Sequence, residues 1–128
     1  QRWQQAIARW TAQAAPLKGA PVVSQHKAFV YLYDWLGLKE VAVLEPKPGV
    51  EPTAGHLQQV LSTLKDVPVR MVLYAAYQDP RSSEWLSKNA GMAAVKMPFT
   101  VGGTDGAADL FGLFDDTIAR LLAAGEKR

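Results

Sequence analysis

Four short apolar runs, each followed by an amphipathic one, constrain this chain more than any other feature. The apolar runs are Val22 to His26, Glu40 to Leu44 or Glu45, Arg70 to Tyr77, and Ala93 to Val101. After the first comes Lys27 to Leu36, stopped by Gly37. After the second comes a stripe of Leu57, Val60, Leu61 and Leu64, with Thr53 as a good N-cap. The third leads to a short helix from about Pro80 to Gly91, carrying Trp85 and Leu86. The fourth leads through Gly102-Gly103-Thr104-Asp105-Gly106 into a broad apolar face of Leu110, Phe111, Leu113, Phe114, Ile118, Leu121 and Leu122. Alternation of this kind predicts an α/β fold, a four-stranded parallel sheet with helices on both faces. Right-handed crossovers restrict the topology further. The expected order places strand two outside strand one and strand three on its other side.

An additional helix precedes the first strand. Trp3, Ile7, Trp10 and Ala14 recur at helical spacing, and Pro16 ends the run. The chain opens at Gln1-Arg2-Trp3, inside this helix, with no initiator Met and no signal-peptide pattern. That start is expected of a fragment or a processed product. Two indoles are too much apolar surface for a lone segment. The helix is expected to pack across the domain or to pair with another copy of the chain. Between Glu45 and Pro52, three prolines rule out regular structure. The tail Gly125-Glu126-Lys127-Arg128 is polar and expected to fray.

Composition narrows the function classes. The 128 residues suffice for one domain with a core. Fourteen basic and 12 acidic residues leave a net charge of only +2. Lys and Arg are scattered, so nucleic acid is not an expected partner. No apolar run is long enough to span a membrane. The chain has no Cys, which removes disulfides and thiolate metal sites. No nucleophile elbow is present, so an enzyme is not expected.

His26 is the residue most suggestive of chemistry. It closes the first strand, and open parallel sheets bind ligands at the C-terminal strand ends. Strand two ends there at Glu45, strand three runs into Tyr77-Gln78-Asp79, and strand four runs toward Asp105. One imidazole with several carboxylates makes a mixed N/O site suited to Zn²⁺ or Mn²⁺. The alternative is that His26 merely bonds a neighbour at the strand end. Asp105 lies in a Gly-Thr-Asp-Gly stretch, where Asp is also ordinary turn chemistry. Glu45, opening a proline-rich loop, is expected to be solvated, as is His56 in the first turn of a helix. The Gly102 to Gly106 turn offers a second reading: a small flavodoxin-like domain holding an anion at a helix N-terminus. It lacks the full GxGxxG and GK[ST] patterns.

Three stretches together carry a family resemblance. They are His26-Lys27-x-Phe29-x-Tyr31, then Gly37-Leu38, then Glu45-Pro46-Lys47-Pro48-Gly49-x-x-Pro52-Thr53. The chain resembles the C-terminal lobe of the metal-specific solute-binding proteins of zinc and manganese ABC importers. The resemblance implies two α/β lobes joined by a long rigid helix. Residues 1–15 would be the end of that linker helix and residues 16–128 the C-terminal α/β lobe, the N-terminal lobe being missing. It implies transported zinc or manganese as the ligand, held between the lobes, and an ABC permease as partner. It also implies a periplasmic or lipid-anchored cell-surface location. In such proteins two His come from the N-terminal lobe, and one His and often a carboxylate from the C-terminal lobe. His26 matches that His. The carboxylate usually follows the last strand closely, where this chain has Phe99-Thr100-Val101. Asp105 is the next acid, either a displaced ligand or replaced by water.

Overall fold

A computed structural model describes residues 2–47 and 50–126. Pro48 and Gly49 of the proline-rich loop, and Lys127 and Arg128 of the tail, lie outside the described residues, as does Gln1. The sheet contains β1 (Pro21–Ser24), β2 (Lys39–Val43), β3 (Met71–Ala75) and β4 (Ala93–Met97), in the order β2-β1-β3-β4. Every neighbouring pair is parallel. Both the class and the expected strand order are therefore present. The helices are α1 (Arg2–Gln13), α2 (Val30–Leu36), α3 (Ala54–Thr63), α4 (Arg81–Ala90) and α5 (Leu110–Glu126), with a single 3₁₀ turn at Ala15–Leu17.

Side chains that alternate along a strand separate the core into two layers. Val22, Met71 and Leu73 face a layer that includes Trp10, Tyr33, Leu36, Ile118 and Leu121. Val23 and Val72 face the opposite layer, with Leu57, Val60 and Leu86. Helices α1, α2 and α5 thus cover one face, and α3 and α4 the other. Buried on both sides, β1 and β3 read as nearly continuous apolar runs.

Local chemistry explains the helix ends. The Thr53 hydroxyl accepts from the His56 backbone N–H at 3.1 Å, capping α3. Gly37 and Gly91 close α2 and α4 in the left-handed conformation, where a side chain is costly.

Several boundaries differ from the sequence expectation. β1 stops at Ser24 rather than His26, and α2 starts at Val30 rather than Lys27. Residues 25–29 form the connection at the sheet edge. β4 ends at Met97 because Pro98 has no N–H to donate and Phe99 turns the chain with φ 63°. α5 begins at Leu110, beyond the glycine-rich turn, and extends to Glu126, so the tail is helical through Gly125. The Arg70 guanidinium donates to the Gly125 carbonyl at 2.8 Å.

Helix α1 does pack across the domain, but through a rotated face. Ala6, Trp10 and Ala14 are buried, whereas Trp3 and Ile7 are 39% and 47% exposed. Trp10 stacks on Phe114 with centroids 4.9 Å apart, and Trp3 stacks on Phe111 at 4.2 Å. The Trp10 indole donates to the Asp115 carboxylate at 2.6 Å.

Candidate metal centre

The site is built where the sheet ladder continues beyond its strands. Leu44 N–H donates to the Ser24 carbonyl at 2.8 Å, and Glu45 N–H to the Gln25 carbonyl at 3.0 Å. On the other side, Gln25 N–H donates to the Leu73 carbonyl at 2.8 Å. These bonds hold residues 25 and 45 as neighbours at the C-terminal edge, between β2 and the switch from β1 to β3. His26 follows immediately. Its Nδ1 lies 2.6 Å from Glu45 Oε1. The two side chains are 27% and 14% exposed. Glu45 is therefore largely buried and engaged, not solvated as its loop position implied. Parallel register brings it beside His26.

An ionised carboxylate only accepts hydrogen bonds. In the neutral imidazole, contact with an ionised Glu45 favours the proton on Nδ1 and the lone pair on Nε2. Among the described residues no protein group takes up Nε2. A partly exposed imidazole with one nitrogen anchored and the other open fits, in its neutral form, a metal's nitrogen ligand.

A polar frame surrounds this pair. Gln25 is buried, donating to the Asp79 carbonyl at 2.8 Å and accepting from the Ser83 hydroxyl at 2.7 Å. Ser24, fully buried, donates to Glu40 at 2.7 Å and shares a hydrogen bond with the Tyr33 hydroxyl. Burial pushes the Tyr33 phenol well above its ordinary range; the Ser24 bond lowers it and the Glu40 charge raises it, so it stays neutral. Sequence reading missed Ser24 and Gln25 as frame residues. Their signal was two polar residues ending an otherwise apolar strand. A cleft of about 530 Å³ opens beside the frame, lined by Gln25, Glu45, Tyr77, Asp79 and Trp85 among others.

The other candidates are placed differently. Asp105 is exposed, and no hydrogen bond or ion pair joins it to His26 among the described residues. Its turn is tied down. Gly102 N–H donates to the Ala107 carbonyl at 2.8 Å, Ala107 N–H to the Thr104 carbonyl at 3.1 Å, and the Thr104 hydroxyl bonds Asp116. A Cβ on Gly103 would lie 1.9 Å from the Pro98 carbonyl oxygen, so only glycine lets the turn close there. These bonds oppose a movement of the turn that would carry Asp105 to His26. His56 is half-buried, its Nε2 3.5 Å from the Val43 carbonyl. Among the described residues, no group of three or more His, Asp or Glu side chains gathers to hold a metal.

The turn is also unsuited to an anion. Asp109 accepts from the Gly112 N–H at 2.7 Å, occupying the start of α5, and Asp116 packs against Gly106. These carboxylates disfavour the flavodoxin-like reading.

The family model described as zinc-uptake complex component A, periplasmic (ZnuA), matches residues 1–124. The chain belongs to this family. ZnuA-family proteins are periplasmic metal-binding solute-binding proteins of ABC transporters. Among individually curated proteins, none matches the chain. Solved structures share the fold. A crystal structure of ZnuA aligns at TM-score 0.75 and 20% identity, covering 94% of this chain and 43% of its own. FpvC of Pseudomonas aeruginosa, in complex with Mn²⁺, aligns at 0.73 and 19%, covering 96% and 47%. The laminin-binding protein Lmb of Streptococcus agalactiae, described as an adhesin with metal-transporting activity, aligns at 0.67 and 18%, covering 92% and 48%. The chain thus spans less than half the length of each of these structures. No described helix is long and apolar enough to cross a membrane.

Proposed function

We propose that this ZnuA-family chain is the C-terminal lobe of a solute-binding protein that carries zinc or manganese to an ABC permease. Residues 1–15 are then the end of the interlobe helix and residues 16–128 the lobe. The protein works in the periplasm or lipid-anchored at the cell surface, and it binds without catalysing a reaction. The observation that carries the reading is His26. It stands at the C-terminal edge of the sheet, with Nδ1 held by Glu45 and Nε2 open. His26 supplies one nitrogen ligand, and the remaining ligands come from the lobe that precedes α1. Asp105 serves as a further oxygen ligand only if its turn rearranges.

Calorimetric titration with Zn²⁺ and Mn²⁺ tests this. The chain alone binds zinc weakly, because one imidazole falls short of the three or four ligands of ordinary zinc sites. Restoring an N-terminal lobe tightens binding strongly. His26→Ala abolishes it and His56→Ala leaves it intact. Equal losses from both substitutions would mean adventitious surface binding, and unchanged binding in His26→Ala would end the proposal.

A further inference from the structure

We infer that Glu45 is a positioning residue that fixes the tautomer and direction of His26, and that it is not itself a metal ligand. The inference rests on the metal-binding reading of His26 and adds to it the residue that prepares the nitrogen. A neutral imidazole carries its proton on either ring nitrogen, and only the bare one can ligate. Left to itself the ring samples both forms and several rotamers. Here Glu45 Oε1 sits 2.6 Å from Nδ1. The carboxylate is only 14% exposed, so water competes poorly for it. Its backbone is pinned to Gln25 by the 3.0 Å bond that extends the β1–β2 ladder. The backbone carrying the carboxylate that orients the ring is thus held at the sheet edge. Such outer partners raise ligand basicity and remove the cost of choosing a tautomer. They are worth roughly 10–100-fold in metal affinity.

The metal-free chain allows a direct test. Long-range ¹H–¹⁵N correlation spectra distinguish the two tautomers, with His26→Ala assigning the signals. The wild type is expected to show Nδ1–H. Glu45→Ala is expected to lose that preference and to weaken Zn²⁺ binding by roughly 10–100-fold. Glu45→Gln keeps an acceptor oxygen, so it is expected to retain the tautomer and recover most of the affinity. A purely structural role would not move the tautomer. Three results would overturn the inference: an Nε2–H tautomer in the wild type, an unchanged tautomer and affinity in Glu45→Ala, or a loss in Glu45→Gln as deep as in Glu45→Ala. The last would make Glu45 a ligand. A wild type with the Nδ1–H tautomer but no His26-dependent zinc binding would instead refute the metal reading, so the two failures are separable.

Discussion

Replacing Trp10 tests whether α1 is an integral layer of the domain. The side chain is fully buried although its helix is the first element of the chain. It stacks on Phe114 at 4.9 Å, meets Trp3 edge-on at 6.1 Å and donates to Asp115 at 2.6 Å. Trp10→Ala removes all three contacts and leaves a cavity between α1 and α5. Substitutions of this kind cost about 3–5 kcal/mol. Trp10→Phe keeps the stacked ring but loses the donor. Asp115 is 54% exposed and resolvates easily, so the hydrogen bond contributes about 1 kcal/mol and the lost ring area about 1 more. Ile7 supplies the control. It shares the helical spacing with Trp10 but is 47% exposed, so Ile7→Ala costs less than about 1 kcal/mol. Urea unfolding followed by far-ultraviolet circular dichroism measures all three. Since about 1 kcal/mol moves the midpoint of a domain this size by roughly 4 °C, Trp10→Ala should melt more than about 10 °C lower. A cost below about 1 kcal/mol for Trp10→Ala, or an equal cost for Ile7→Ala, would show that α1 does not dock through Ala6, Trp10 and Ala14.

Two further substitutions probe the turn after β4. Phe99 holds φ 63°, where a Cβ is unfavourable. Phe99→Gly should therefore be more stable than Phe99→Ala by roughly 0.5–1 kcal/mol in urea unfolding, and the reverse order would contradict backbone strain there. For the Asp116 carboxyl, burial acts to raise the pKa, but the hydrogen bonds from Thr104 and Arg120 and the Arg120 charge outweigh it and hold it below the usual range. A depressed folded-state value contributes stability above the unfolded value and loses it as pH falls through the folded one. The stability gap between wild type and Asp116→Asn should be full at neutral pH and shrink below about pH 4, and a gap that does not change with pH would refute this.

What the sequence made legible was local chemistry and periodicity. The caps at Thr53, Gly37 and Gly91 follow from rules that operate over a few residues, and the order of strands from the alternation of elements and the handedness of crossovers. The boundaries at the sheet edge did not, because apolar residues continue past the strands. Phe99, Val101 and Tyr77 look like strand residues, yet each is exposed beyond the last ladder bond. Periodicity also gave the stripe of α1 without its centre. Small Ala6 faces the core while larger Ile7 does not, since the neighbouring α5 and the sheet decide which flank is covered. At the site, His26 was legible from its place at a strand end. Glu45 was discounted because a proline follows it. The pairing depends on register between two strands with a helix between them, and no single segment encodes that.

The arrangement also bears on how metal selectivity is divided. On the proposed function, the chain offers one nitrogen, His26, and among the described residues no cluster of three potential ligands. An imidazole nitrogen favours zinc over manganese, so on the proposed function this lobe leans toward zinc by ligand type. What it contributes is rigidity. On that reading His26 is oriented by a buried carboxylate, and Gln25, just before it, is held in the sheet ladder. Ordering that ligand costs little when the metal arrives. If α1 is the end of an interlobe helix, as proposed, ligands from a second lobe act at an effective concentration set by that helix, and α1 is anchored here by Trp10. Loosening α1 should therefore weaken two-lobe metal binding without touching any ligand, while leaving the weak binding of this lobe unchanged. On the proposed function, the balance of nitrogen and oxygen ligands from the other lobe then decides how far that preference for zinc holds.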